Sequence, residues 1–169
     1  MSMVDYDTVM SAAEQKCIQG GIRFTKRRKQ VLSVLIEADV ALSAYEITER
    51  CNAGSDSNMP AMSVYRILDL LQDQNLIHRL EIANKYVSCS HMTCSHEHDQ
   101  SQFLICGGCR HVEEIYLSPD AVDALQTAAS SAGFSAISPQ LEIKGWCAEC
   151  HQSNAVSYTH LRAHETTDN

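Results

Sequence analysis

The chain has 169 residues, 44% of them hydrophobic and 8 of them cysteine, with a formal net charge of −8. That length suits one large domain or two small ones, and the apolar content supports a packed core but not a membrane span. Met1 to Met10 carries Asp5 and Asp7 and has no basic stretch leading into an apolar run, so no signal peptide is expected. The thiols are then expected in the reducing cytoplasm, where cysteine clusters serve as metal ligands more often than as disulfides.

A first helix fits residues 5–19, stopped by Gly20 and Gly21. Thr25 caps a second, in which Val31, Leu32, Leu35 and Ile36 recur at helical spacing to about Ala38. Its first turn gathers Arg23, Lys26, Arg27, Arg28 and Lys29 with no acid between them. Such a patch either neutralises phosphates or is a plain solvated helix end. The acidity lies elsewhere: residues 1–85 have a net charge of −1 and residues 86–169 one of −7. The total charge therefore does not argue against a nucleic-acid partner for the first half.

Ser43-Ala44-Tyr45-Glu46 is a capping box and predicts a third helix over 44–52, followed by a polar loop from Asn52 to Pro60. Pro60 opens a fourth helix, whose Val64, Ile67, Leu68 and Leu71 must face a core. Arg66 and Met62 then point outward with Tyr65 on the flank, a surface able to read bases. An ordinary amphipathic helix is the alternative. Next, Leu76, His78, Leu80 and Ile82 alternate with Ile77, Arg79 and Glu81, and Ala83-Asn84 turns into Lys85-Tyr86-Val87. Helices followed by such a hairpin predict a winged helix with its fourth helix in the major groove.

Residues 88–102 are rich in donors: Cys89, His91, Cys94, His96, Glu97, His98 and Asp99. Cys89 lies across a short turn from His78, the loop can fold back to supply an imidazole, and Glu114 completes a site of sulfur, nitrogen and oxygen donors. A flexible polar loop with a hydrogen-bonded core histidine is the alternative. Further on, Cys106/Cys109 and Cys147/Cys150 form two Cys-x-x-Cys pairs, the spacing of a closed tetrahedral zinc site. Gly107 and Gly108 are expected to let the first pair turn onto one ion. A redox pair or buried thiols would be the competing uses, but redox chemistry needs only one pair. Strands at Phe103–Ile105 and Val112–Leu117, a helix from Pro119 capped by Ser118 and stopped by Gly133, and a strand at Leu141–Trp146 make a small α/β unit. With Val122, Leu125 and Ala129 as one apolar face, so small a unit gains from a partner sheet, and a homodimer is expected.

The segments Ile22-Arg23-Phe24-Thr25-Lys26-Arg27-Arg28, Ser43-Ala44-Tyr45-Glu46, Val64-Tyr65-Arg66-Ile67-Leu68-Asp69-Leu70-Leu71, Tyr86-Val87-Ser88-Cys89 and Phe103-Leu104-Ile105-Cys106, with both cysteine pairs in register, resemble the ferric uptake regulator family and its zinc-responsive branch. The resemblance covers about residues 5–152. It implies an α+β chain with a winged-helix DNA-binding domain over 1–84, a hinge over 85–90, and a dimerisation and metal-binding domain over 91–154. It implies a homodimeric cytoplasmic repressor that binds palindromic double-stranded DNA operators of zinc-acquisition genes when zinc is abundant. Two zinc ions per chain are implied: one structural, on Cys106, Cys109, Cys147 and Cys150, and one regulatory, on His78, Cys89, a loop histidine and Glu114. Tyr45 and Arg66 match base-contacting positions, and Tyr65, Arg23, Lys26 and Arg28 complete the expected DNA surface.

The match departs from the family pattern in places. Lys26 stands where a proline often follows the threonine, which suits an exposed first turn. For the loop ligand His98 is preferred, with His96 as alternate and Asp99 competing by its distance from Cys106. His96-Glu97-His98-Asp99-Gln100 echoes the histidine-rich run of the iron-sensing branch but lies too far upstream, so iron, manganese or peroxide sensing is the second reading. A zinc enzyme using Glu97 or Glu113 as base would leave the winged helix unexplained, and no His-Glu-x-x-His helix is present. Neither a membrane partner nor a small organic substrate is implied. Residues 155–169 resemble tails read through from cloning adapters and are expected to be a non-native or disordered end.

Overall fold

The computed structural model describes residues 6–38, 40–53, 58–93, 101–135 and 140–152. Cys94, His96, His98, Asp99 and the tail 155–169 lie outside the described residues. Gly21, at φ 69°, ends the first helix, α1 (Tyr6–Gln19), because only a left-handed residue lets the Ile22 N–H reach back to the Cys17 carbonyl at 2.8 Å. Then come α2 (Lys26–Ile36), α3 (Ala44–Asn52) and α4 (Ala61–Asp73). Thr25 is the N-cap of α2 by position, but its side chain makes no capping hydrogen bond, contrary to expectation. The capping box of α3 forms in full: Glu46 N–H donates to Ser43 Oγ at 3.2 Å, and Ser43 N–H donates to Glu46 Oε2 at 2.7 Å.

Helix α4 buries Val64, Leu68 and Leu71 against Leu32, Leu35 and Ile47, with Ile67 packed at the edge. Each such side chain is worth about 1.5–3 kcal/mol of burial, which keeps the opposite face of α4 turned to solvent. The Asn52 side chain closes the following loop by bonding both the N–H and the carbonyl of Met59.

The hairpin of β1 (Ile77–Leu80) and β2 (Lys85–Ser88) follows, and Leu42 extends it by pairing with Tyr86 at both backbone groups. The alternation expected from Leu76 to Ile82 breaks at two places. Ile77 is buried as well as His78, because the hairpin is covered on both faces: Ile77 joins the helical core, while Leu80 packs with Ala41, Phe103 and Ile105. Ile82 is 62% exposed, since the strand ends at Leu80 and Ile82 lies in the turn completed by Asn84 at φ 48°.

The second half is a three-stranded sheet in the order β4-β3-β5, comprising β3 (Gln102–Cys106), β4 (Val112–Ile115) and β5 (Glu142–Gly145). β4 runs antiparallel to β3 and β5 parallel to it, with α5 (Pro119–Ser131) in the crossover. The architecture is thus α+β, a winged helix joined to a small α/β unit. Ser118 caps α5 through the Ala121 N–H, but only Val122 of its expected apolar face is buried; Leu125 is exposed. The second strand stops at Ile115, short of the expected Leu117.

Candidate metal centres and nucleic-acid surface

The sulfurs of Cys106, Cys109, Cys147 and Cys150 lie within 4.8 Å of one another. Cys109 Sγ and Cys147 Sγ are 3.7 Å apart, matching the roughly 3.8 Å edge of a tetrahedron built on zinc–sulfur bonds of about 2.3 Å. The donor set therefore fits a closed structural zinc. Backbone bonds hold the two knuckles together: Gly107 N–H donates to the Gly145 carbonyl at 2.8 Å, and Cys147 N–H to Cys106 Sγ at 3.4 Å. That N–H is the main reason the Cys106 thiol is lowered to about 6, while hydrogen bonding with Cys147 leads the causes that push Cys150 up to about 12. Cys106 and Cys150 thus titrate apart, and a cation at the four sulfurs would take the place of thiol protons. The expected role of the glycines needs correction. Neither Gly107 nor Gly108 takes a positive φ; Arg110 does, at 64°. Gly108 matters because a Cβ there would lie 2.9 Å from Cys150 Sγ and 3.0 Å from the Trp146 ring.

His78, Cys89 and Glu114 bring donors within 4.8 Å of one another from three elements: β1, the residue after β2, and β4. His78 Nε2 is 3.4 Å from Glu114 Oε1, close to the ligand–ligand separation of about 3.3 Å in a tetrahedral zinc site. The His78 ring leans on Phe103 of β3 with centroids 5.1 Å apart. Burial works against ionisation of Glu114. The Ser101 hydroxyl at 2.6 Å, the Ser90 N–H at 2.9 Å and the two nearby imidazoles outweigh it and hold the carboxyl below its ordinary range. A soft thiol, an imidazole and a ready carboxylate fit zinc. The loop donors His98 and His96 lie outside the described residues.

Sequence reasoning counted His91 among the donors but gave it no role. Its Nδ1 lies 3.5 Å from Glu114 Oε1, so a second imidazole faces the same carboxylate oxygen. The spacing Cys89-Ser90-His91, a turn returning toward the sheet, was the available signal.

Tyr45 is 75% exposed on the first turn of α3, and Met62, Tyr65 and Arg66 are exposed along one side of α4. Arg23 and Lys26 are open to solvent, whereas Arg28 is half-buried and donates to the Arg23 carbonyl. The basic run of Arg23, Lys26, Arg27, Arg28 and Lys29 presents less free charge than its sequence suggests: Lys29 is paired with Glu14 of α1 at 2.9 Å and lies over the Phe24 ring. Two exposed tyrosines, an arginine and a basic helix start therefore share the winged-helix half. No helix among the described residues is long and apolar enough to cross a membrane.

Residues 19–144 match the family model described as the ferric uptake regulator family. The chain is 31% identical to the zinc uptake regulation protein of Escherichia coli (strain K12), over 93% of this chain and 90% of that one. To the ferric uptake regulation protein of Helicobacter pylori it is 27% identical, over 87% of this chain and 94% of the other. Among solved structures it is similar to a zinc uptake regulator complexed with zinc and DNA, with a TM-score of 0.75, 29% identity, and coverage of 88% of this chain and 98% of that one. It also resembles holo XcZur, with a TM-score of 0.69 and 31% identity over 85% of this chain and 96% of that one.

Proposed function

The chain belongs to the ferric uptake regulator family, DNA-binding and metal-responsive transcriptional regulators rather than enzymes, and on that premise we propose that it is a zinc-responsive repressor of zinc-uptake genes, acting as a cytoplasmic homodimer. The observation that carries this reading is the convergence of His78, Cys89 and Glu114. Cys89 supports zinc as the metal, because a thiolate favours zinc over hard cations such as manganese. The solved relative described as complexed with zinc and DNA supports the same choice.

In this reading residues 1–84 bind DNA, 85–90 form the hinge and 91–154 dimerise. Cys106, Cys109, Cys147 and Cys150 hold a permanent zinc whose binding energy is part of the folding energy of the second half. His78, Cys89, Glu114 and a loop histidine, His98 with His96 as alternate, hold the regulatory ion. When bound, that ion ties the wing to β4 and so fixes the angle between the halves. A fixed angle sets the spacing of two α4 helices in a dimer to match two half-sites. Zinc then raises DNA affinity, and by linkage DNA raises zinc affinity equally, with a coupling of about 1–3 kcal/mol. Arg66, Tyr65 and Tyr45 read bases; Arg23, Lys26 and Arg28 hold phosphates. The dimer is supported by Leu104 and Ile143, register partners that are both exposed on the sheet face opposite Phe103, together with exposed Tyr116, Leu125, Phe134 and Trp146.

The test is a mobility-shift titration on a palindromic duplex selected from a randomised pool, using protein that keeps its tetrathiolate zinc but is stripped at the second site. Binding should return with added zinc. Full binding without it defeats the switch, and exchangeable iron found beside a tightly held zinc would move the sensor to the iron branch.

A further inference from the structure

The tip of the wing is gripped from the other half of the molecule, well away from the metal donors at its base. Both oxygens of Glu142 on β5 accept backbone N–H groups of the β1–β2 turn, Oε1 from Glu81 at 2.6 Å and Oε2 from Ile82 at 2.9 Å. Gln140 Nε2 stands beside them, donating to Glu142 Oε1 at 2.8 Å and to the Arg79 carbonyl at 2.9 Å. Two consecutive amides facing one carboxylate form a charge-assisted, bidentate contact, stronger and more directional than neutral pairs. β5 is itself rigidly held. It pairs with β3, and its last residue, Gly145, accepts from Gly107 in the first cysteine knuckle.

We propose that Glu142, aligned by Gln140, is a positioning residue that clasps the wing tip to the zinc-stapled sheet and so presets the interdomain angle that the regulatory metal completes. The hairpin has two attachments. At its base His78 and Cys89 face Glu114; at its tip the Glu81 and Ile82 amides meet Glu142. Between them Leu80 packs on Phe103 and Ile105. A wing already held at its tip loses less freedom when the base closes on a metal, so the clasp should raise zinc affinity and lower the free zinc at which operator binding begins. The part of this concerning zinc and operator rests on the function proposed above. The clasp itself does not.

Two measurements on the full chain with its tetrathiolate zinc in place separate these parts. Amide hydrogen exchange without DNA or a second metal ion should show Glu81 and Ile82 exchanging about tenfold faster in Glu142→Ala, with partial protection restored in Glu142→Gln, which keeps one carbonyl acceptor. Binding to the selected duplex against buffered free zinc should show a midpoint raised about threefold to tenfold in Glu142→Ala and Gln140→Ala. The salt slope should not change, because no phosphate contact is lost. Equal exchange rates in the wild type and Glu142→Ala overturn the clasp. A midpoint that stays put although the amides are freed overturns its coupling to zinc, and a shift accompanied by loss of the tetrathiolate zinc overturns the positioning role in favour of damage to β5. A wild type whose operator binding ignores zinc would defeat the proposed function, while exchange would still judge the clasp.

Discussion

His78 Nε2 and Glu114 Oε1 stand 3.4 Å apart across the junction between the wing and the α/β sheet. Neither group is drawn there by local structure. His78 is carried by the hairpin, and Glu114 is aimed inward by the β3–β4 register, which sets it opposite Phe103. Ser101 and Ser90 hold the carboxylate in the ionised form a cation needs.

Glu114→Ala should therefore reduce the zinc content from two ions per chain to one and lower operator affinity in excess zinc about 5-fold to 150-fold. Metal analysis paired with a mobility shift checks this. A variant that keeps both ions removes Glu114 from the regulatory set.

The fourth donor is open to a direct comparison of three histidines. His98→Ala should abolish tight binding of the second ion, and His96→Ala should leave it nearly intact. His91→Ala should weaken it about 10-fold to 100-fold, as expected for a group that supports a ligating carboxylate without ligating. Competition with a chelator of known affinity gives the three constants. Abolition by His91→Ala with no effect of His98→Ala would transfer the ligand role to His91.

What was legible in the sequence was mostly short-range chemistry. The Ser43–Glu46 box, the stop at Gly21 and the apolar stripe of α4 depend on neighbours within one or two turns, and they appear as expected. The four cysteines were legible because ligand spacing is a local constraint on a shared point. Illegible features depend on a second surface. Ile77 and His78 are both buried because the hairpin is sandwiched, which no period-2 pattern expresses. Gln102 is buried at the start of β3, where its side-chain oxygen accepts the Leu141 N–H. Nothing local marks the role of Glu142, since its partners are backbone amides in a turn about sixty positions away.

Gly108→Ala tests the packing of the tetrathiolate centre. The added Cβ would lie 2.9 Å from Cys150 Sγ and 3.0 Å from Trp146, so a knuckle must shift. A loss of about 1–3 kcal/mol is expected in the second half, read as easier zinc extraction and an earlier Trp146 fluorescence transition. Gly107→Ala is the control: its nearest neighbour would be Lys144 at 3.5 Å, an ordinary contact, so it should behave like the wild type.

Arg66→Ala and Lys26→Ala should fail differently. Arg66 projects from α4 and, as a base reader, should lose about 1–3 kcal/mol of discrimination at one operator position. Lys26, exposed at the start of α2, should weaken all sequences alike and reduce the salt slope by about 1. Arg28→Ala should combine a smaller electrostatic loss with some instability, because its guanidinium is tied to the Arg23 carbonyl. Affinities for single-base operator variants at several salt concentrations separate the three; equal losses at every position for Arg66→Ala would deny it a reading role.

Glu46 makes the fold sensitive to acid. The Ser43 N–H, the Ser43 hydroxyl and the Lys85 ammonium at 3.1 Å lower its carboxyl to about 2 from an ordinary 4.5. Above pH 4.5 both the folded and unfolded chains carry the charge, and the full contribution is present. As pH falls from 4.5 toward 2, the unfolded chain takes up the proton first, so the contribution shrinks and is lost below about 2. The side chain is 38% exposed, and solvent screening limits the effect to about 1 kcal/mol. Glu46→Gln should accordingly be less stable than the wild type by about that amount at pH 7 and by much less at pH 3 in urea unfolding followed by circular dichroism. Zinc is lost from both proteins in acid, so its effect cancels in the difference. A gap that stays constant with pH would mean that Glu46 acts through the capping geometry alone, not through its charge.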